Sequence, residues 1–537
     1  MNFLNDQSYP YSNTRHATYA KNGMVATSQP LASQAGLEIL KKGGNAIDAA
    51  IATAACLTVV EPTSNGIGGD AFALVWTKGK LHGLNASGRS PKNISIDAVK
   101  EKGYEEIPTY GWVPVTVPGA PGAWAALSEK FGKLPLTEVL QPAITYAEEG
   151  YPVSPTLGKF WNKAYNNFKE KLTDSQFENW FNTFAPEGRA PQPGEVWASR
   201  DHAETLREIA ETNAKSFYEG DLADKIDAFS REHGGFLRKE DLAAYEADWV
   251  DPIHVNYRGY DVWEIPPNGQ GIAALEALNI LKGFDFPDKE SINTYHKQIE
   301  AMKLAFADAE KHVTEENHML FTANDILSDA YGEKRRKLIT DTALTPEAGE
   351  PAAGGTVSLA AADNEGNMVS FIQSNYMGFG SGLVVPGTGI ALQNRGHNFS
   401  MDPKHVNALA GGKRTYHTII PGFMTKGDQP VGPFGVMGGF MQPQGHVQVV
   451  MNTVDFGLNP QAALDAPRWQ WKKDKKVDVE NRFPHHLAQG LSVKGHDIQI
   501  ALEPNEFGRG QIIWRDPESG VLVGGTESRT DGTVAAW

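Results

Sequence analysis

Two glycines, Gly354 and Gly355, deliver a threonine to the start of an apolar run, Thr356-Val357-Ser358-Leu359-Ala360-Ala361-Ala362-Asp363. A second run, Met368 to Gln373, follows after Asn364-Glu365-Gly366-Asn367. Turn residues between two such runs predict a β-hairpin with Thr356 at its open end. A threonine hydroxyl is a poor nucleophile without a base beside it. One base is the α-amino group of the same residue, once the bond before it is cut. That amine titrates at ~7.7 to 8, so proton exchange near neutral pH is built into one residue without a His or Asp partner. Taken alone, the stretch also reads as an ordinary hairpin after a glycine-rich loop.

The 537 residues correspond to about three to four average domains, although interwoven folds of this length form single units. Hydrophobic residues at 40% and charged residues at 21% describe a soluble globular protein. A formal charge of −16 repels phosphate backbones, so nucleic acid is not an expected partner. The lone cysteine, Cys56, lies in a small-residue helix and reads as packing, with no intramolecular disulfide to form. Neither residues 1–22 nor any later run has the apolar length of a signal peptide or membrane span. The expectation is a cytoplasmic chain with no membrane partner, secretion being left open.

Along the chain, Leu31 to Lys42 has helical spacing and stops at Gly43-Gly44, and Asn45 can cap a second helix that ends at Glu61-Pro62. The G-x-G-x-x-A string at Gly66, Gly68 and Ala71 lies between a helix and a strand, the reverse of the order a dinucleotide site needs. It reads instead as a loop whose backbone passes close to something else. Arg89 follows a strand among small residues, and its planar fork suits a carboxylate. Lys169 to Arg200 reads as a peripheral excursion of low order, Tyr257 to Ile265 as one strand, Ser291 to about Val313 as a long helix, and Tyr416 to Met424 as a strand. The 12 tryptophans are scattered and specify nothing. Thr342 to Gly354 reads as an exposed segment where a cut is tolerated. Gly438-Gly439 ends a strand shortly before a helix, where backbone N–H groups can face an anion. His485-His486 lacks neighbours at zinc-ligand spacing.

Several separated blocks resemble, in order, the γ-glutamyltranspeptidase (glutathione hydrolase) family of N-terminal-nucleophile hydrolases. They are Gly43-Gly44-Asn45-Ala46-Ile47-Asp48-Ala49, Val117-Pro118-Gly119, Glu300 to Asp308, the Thr356 hairpin, Phe379-Gly380-Ser381-Gly382 and Arg529-Thr530-Asp531-Gly532. The resemblance implies an α+β fold, a four-layer αββα sandwich made as one inactive chain that cuts itself between Gly355 and Thr356. The large fragment would be residues 1–355 and the small fragment 356–537, interwoven as a heterodimer of the chain's own pieces. It also implies that Thr356 attacks an amide carbonyl, that Ser374 orients its hydroxyl, and that the N–H groups of Gly438 and Gly439 form the oxyanion hole. Arg89 matches the arginine that holds the substrate carboxylate.

Departures concentrate in substrate recognition. Asn398 stands where the glutathione enzymes carry an aspartate for the substrate ammonium, His417-Thr418 replaces a serine pair, and Tyr376 replaces an asparagine. The Gly66 to Phe72 block resembles the acylase-like branch. The leading expectation is a self-processing γ-glutamyl hydrolase or transferase acting on small γ-glutamyl amides; the alternative is an amidase of the glutaryl or cephalosporin acylase type, and the remote alternative a non-catalytic binding protein on the same fold. Amine, hydroxyl and backbone donors supply the chemistry, so no cofactor or metal is implied.

Overall fold

Along Asp70–Thr77, the side chains of Ala71, Ala73 and Val75 enter one apolar cluster and those of Phe72, Leu74 and Trp76 enter another. A strand buried on both faces needs a packed layer on each side. The same split recurs in the expected hairpin, where Leu359 and Ala361 face one cluster and Ala360 and Ala362 the other. The computed structural model describes residues 9–12, 15–346 and 355–537, without the side chains of 355–357, 504 and 505. The Thr342 to Gly354 segment therefore lies partly outside the described residues.

Two seven-stranded sheets are stacked. The first runs Thr533–Ala536, Gly23–Thr27, Gly355–Asp363, Met368–Tyr376, Asp70–Thr77, Lys80–Ala86 and Asp248–Val250. The second runs Thr18–Ala20, Leu522–Thr526, Arg509–Arg515, Gln429–Met437, Gly422–Lys426, Tyr260–Glu264 and Ile253–Tyr257. Between them Phe72, Met368 and Ile372 meet Phe423, Met437 and Ile513. Helices cover the outer faces: Pro30–Lys41, Ala46–Val60 and Ala120–Phe131 on the first sheet, and Gly271–Leu281, Ile292–His312 and Met441–Val454 on the second. The order of layers is helix, sheet, sheet, helix, the expected αββα sandwich. Both sheets draw strands from before and after residue 355.

The helix Ala46–Val60 starts where expected. The Asn45 side chain accepts from the N–H groups of Ile47 and Asp48, while Asp48 Oδ2 accepts from Asn45 N–H at 3.0 Å. Asp363, at the hairpin turn, accepts from Ala46 N–H at 2.8 Å and so ties the helix start to the hairpin. All 15 residues of this helix are buried.

Four local expectations are corrected. Residues 169–200 are ordered: the helix Pro155–Lys171 and the short helix Glu178–Phe184 bury Trp161, Phe168, Trp180 and Phe184. The tryptophans there are not scattered in space, because Trp161, Trp180 and Phe184 pack around Phe379 with ring centroids 5.8, 5.1 and 4.8 Å away. Tyr257 to Ile265 is a hairpin rather than one strand, since Arg258 and Gly259 take φ values of 54° and 86° and turn the chain. Of the Tyr416 to Met424 run only residues 422–424 are strand, the start of Gly422–Lys426, because the residues before it bond to loops and side chains: His417 N–H to Asn268 O and Ile420 N–H to Gln442 Oε1.

Candidate active site

Gly355 pairs with Tyr376 and Val357 with Gln373, so one residue on the first strand of the hairpin faces two on the second. The bulge places the Thr356 backbone opposite Ser374 and Asn375; the Thr356 side chain lies outside the described residues. Ser374 Oγ accepts from Tyr376 N–H at 2.8 Å. Tyr376 takes φ 74°, a left-handed conformation that bulky residues rarely adopt. The Gly66 to Asp70 loop lies against this bulge. A Cβ on Gly69 would come within 2.7 Å of Ser374 O, and one on Gly66 within 2.8 Å of Asn375 Nδ2. Close approach was the expected reason for those glycines.

Arg395 lies over the Tyr376 ring, its guanidinium carbon 4.4 Å from the centroid, and is 1% exposed. Its Nη1 donates to Thr418 Oγ1 at 2.7 Å. Its Nε stands 3.8 Å from Asp70 Oδ2, too far for a hydrogen bond, and neither Nε nor Nη2 has a hydrogen-bond partner. The Tyr376 hydroxyl and both amide atoms of Asn375 are likewise buried without partners. Burial draws the Arg395 guanidinium down to about 10, a value at which it is still a cation at neutral pH.

His417 Nδ1 accepts from Ile419 N–H at 3.3 Å, which assigns the ring proton to Nε2, 3.0 Å from Asp70 Oδ2. Burial, with Arg395 and Arg414 nearby, holds the imidazole well below its usual value and therefore neutral. Asp70 Oδ1 accepts from Gly88 N–H at 3.4 Å, and burial pushes the carboxyl up to about 7 against the pull of Arg395.

Gly438 and Gly439, with φ of 142° and 58°, join the strand Gln429–Met437 to the helix Met441–Val454, the expected junction. Gln270 Nε2 donates to Gly439 O at 2.8 Å and to Thr418 O at 2.5 Å, while Gln270 N–H donates to His417 O at 2.9 Å. One buried amide thus ties the glycine pair to the segment that carries His417 and Thr418. Asn398 Nδ2 donates to Tyr416 O at 3.0 Å, beside the same segment.

Tyr376, Ser374, His417 and Thr418 are thus brought together at the open end of the hairpin, with Asn398 and the glycine pair linked through neighbouring backbone. Arg89 stands differently. Its side chain is 44% exposed, and its Nη1 donates to Glu315 and to Gly412 O. Among the described residues it has no hydrogen bond, ion pair or ring contact with the Arg395 group. Sequence reasoning left Asp70, Gln270, Asn375 and Arg395 without roles. A G-G-D loop pressed on a strand and an arginine three residues before Asn398 were the available signals.

Among the described residues, the group with ligand atoms close enough to share a metal ion is His296, Glu300 and His496. Those atoms are engaged. His296 Nε2 donates to Thr340 O at 2.7 Å, so His496 Nε2 donates to His296 Nδ1 at 2.8 Å, and Lys303 Nζ bonds Glu300 Oε1 at 2.7 Å and approaches His496 Nδ1 at 3.4 Å. An ammonium stands among the ligand atoms a cation would need, which makes this a hydrogen-bonded chain rather than a metal cage.

The sequence matches the family model described as Gamma-glutamyltranspeptidase over residues 32–537. It is 38% identical to the glutathione hydrolase-like YwrD proenzyme of Bacillus subtilis (strain 168), across 95% of this chain and 98% of that one. It is 33% identical to the oxamate amidohydrolase proenzyme of Klebsiella pneumoniae, across 96% and 98%. The fold superimposes on the crystal structure of cephalosporin acylase from Bacillus halodurans with a TM-score of 0.96 and 68% identity, over 99% of each chain.

Proposed function

This chain belongs to the gamma-glutamyltranspeptidase family of hydrolytic enzymes, and we propose that it is a self-processing amidohydrolase that cleaves small amides of a carboxylate-bearing acyl group through a threonine acyl-enzyme. The observation that carries this reading is the hairpin bulge: it sets the Thr356 backbone opposite Ser374 and beside the Tyr376, Thr418 and Arg395 cluster. In maturation, the Thr356 hydroxyl attacks the Gly355 carbonyl carbon and the amide nitrogen leaves, giving an ester that water hydrolyses. The products are a Gly355 carboxylate and a free Thr356 amine. In turnover, that amine takes the hydroxyl proton, Oγ attacks the substrate carbonyl, and the N–H groups of Gly438 and Gly439 receive the oxyanion. The proton then goes to the departing amine, and water releases the acid. One lost oxyanion donor costs roughly 3 to 4 kcal/mol in comparable sites.

γ-Glutamyl amides and glutaryl amides are the two donor classes. The glutaryl class is favoured by Asn398, a neutral amide anchored to Tyr416 O where an ammonium would call for a carboxylate. The 68% identity to a cephalosporin acylase and the 38% identity to a glutathione hydrolase-like proenzyme support the two classes comparably.

Denaturing electrophoresis of purified protein should show two fragments, the smaller beginning at Thr356. Thr356→Ala should remain one chain of 58.4 kDa and lose roughly 10⁴-fold or more in activity, whereas Thr356→Ser, which keeps a hydroxyl, should still mature. Activity from an uncut chain contradicts the mechanism.

A further inference from the structure

Arg395 is a permanent cation with an unfinished hydrogen-bond set. Nε and Nη2 are the two nitrogens whose N–H bonds point the same way along one edge of the guanidinium, the edge that grips a carboxylate with two parallel bonds. Both lack partners, although the side chain is buried. An orphaned buried donor carries a desolvation cost that a ligand oxygen removes. The other N–H side of the guanidinium is used, with Nη1 on Thr418, and Tyr376 covers one face. Asp70, the carboxylate beside Nε, directs its hydrogen bonds to His417 and Gly88 instead. Tyr376 places the guanidinium near the hairpin end, since the residue it stacks on is paired with Gly355, one position before Thr356.

Resting on the threonine-amidase reading, we propose that Arg395, rather than Arg89, binds the free carboxylate of the acyl donor through its Nε–Nη2 edge and so selects donors without an α-ammonium. Arg89 is a weaker candidate, because it is half exposed and already paired with Glu315. A buried guanidinium repels a substrate ammonium placed near it, which costs the γ-glutamyl donor more than the glutaryl donor. His417 is neutral, and Asp70, the carboxylate beside Arg395 among the described residues, already faces that guanidinium at 3.8 Å, so a second cation would have to share it.

The test compares glutaryl and γ-glutamyl p-nitroanilides with processed wild type, Arg395→Gln and Arg89→Gln. Arg395→Gln should lower kcat/KM for the glutaryl donor by roughly thirtyfold or more and for the γ-glutamyl donor by less, so that the ratio shifts at least tenfold. Arg89→Gln should change both donors by the same factor. A ratio unchanged in Arg395→Gln, or a selective glutaryl loss in Arg89→Gln, overturns the assignment. A second measurement needs no variant: glutarate should inhibit wild type at lower concentration than glutamate, and the opposite order overturns the proposal even if Arg395→Gln fails to mature. Wild type that cleaves neither anilide removes the threonine-amidase reading itself, whereas cleavage with the wrong selectivity removes only the role of Arg395.

Discussion

Among the described residues, two of the buried groups of arginines and carboxylates, one around Arg529 and one around Arg395, differ in how far their donors are met. Around Arg529, Nε and Nη2 bond the Glu480 carboxylate at 2.7 and 2.6 Å, while Nη1 reaches Glu527 Oε1 at 2.5 Å and Leu464 O at 2.8 Å. Arg468 adds a bond from Nη2 to Glu527 Oε2 at 2.8 Å and two from Nη1 to the carbonyls of Phe507 and Gly508. The Arg395 group, equally buried, leaves two guanidinium nitrogens, a phenol and an amide unpartnered. Burying charge is tolerable when its donors and acceptors are met, and none of the side-chain nitrogens and oxygens of Arg468, Arg529, Glu480 and Glu527 is left buried without a partner. The second group meets that condition only when something else enters. The contrast separates an ionic cluster that holds the C-terminal strands together from one prepared for a ligand.

The largest expected effect breaks the closed group. Glu527→Gln leaves Arg468 and Arg529 undercompensated in the interior and should cost about 3 to 5 kcal/mol of stability. Arg395→Gln should cost about 1 kcal/mol or less, because Asp70 can take up a proton when its neighbouring cation is removed. Denaturant unfolding of both variants checks the comparison, and equal losses would erase it.

A smaller effect sharpens the same contrast through pH. The two arginines draw Glu527 down to about 2 against burial, from an ordinary value of 4.5. Its stabilisation is therefore present above about 4.5 and lost as pH falls toward 2. Asp70 is raised by burial from 3.8 to about 7, so the folded state binds the extra proton and the contribution of this group declines as pH rises from about 4 to 7. Subtracting the unfolding curves of Glu527→Gln and Asp70→Asn from wild type should give pH slopes of opposite sign. Slopes of the same sign contradict the assignment of the two groups.

What the sequence made legible was local. Gly355 before Thr356, the turn at Asn364 to Asn367 and the Asn45 cap each act within a few residues, and each appears where expected, while Gly354 lies outside the described residues. The glycines of the Gly66 to Asp70 loop announced a close approach, though not its partner, Ser374 and Asn375. The Arg395 cluster was not legible, because its meaning depends on what is missing around it. Its chemistry comes from Thr418, 23 residues away, and from an Asp70 to His417 bond that spans 347 residues. No spacing rule carries that information. The aromatic packing around Phe379 stayed hidden for the same reason, since Trp161, Trp180 and Phe184 reach it only through the folded helices of residues 155–184.

The most direct measurement of the central claim is to quench processed wild type during turnover of glutaryl p-nitroanilide and map the acylated peptide by mass spectrometry. A hydroxyl nucleophile at the head of the small fragment forms a covalent ester before water releases the acid. The account predicts one glutaryl ester on the peptide that begins at Thr356, absent in Thr356→Ala. An ester on any other residue, or full anilide hydrolysis by Thr356→Ala, would contradict it.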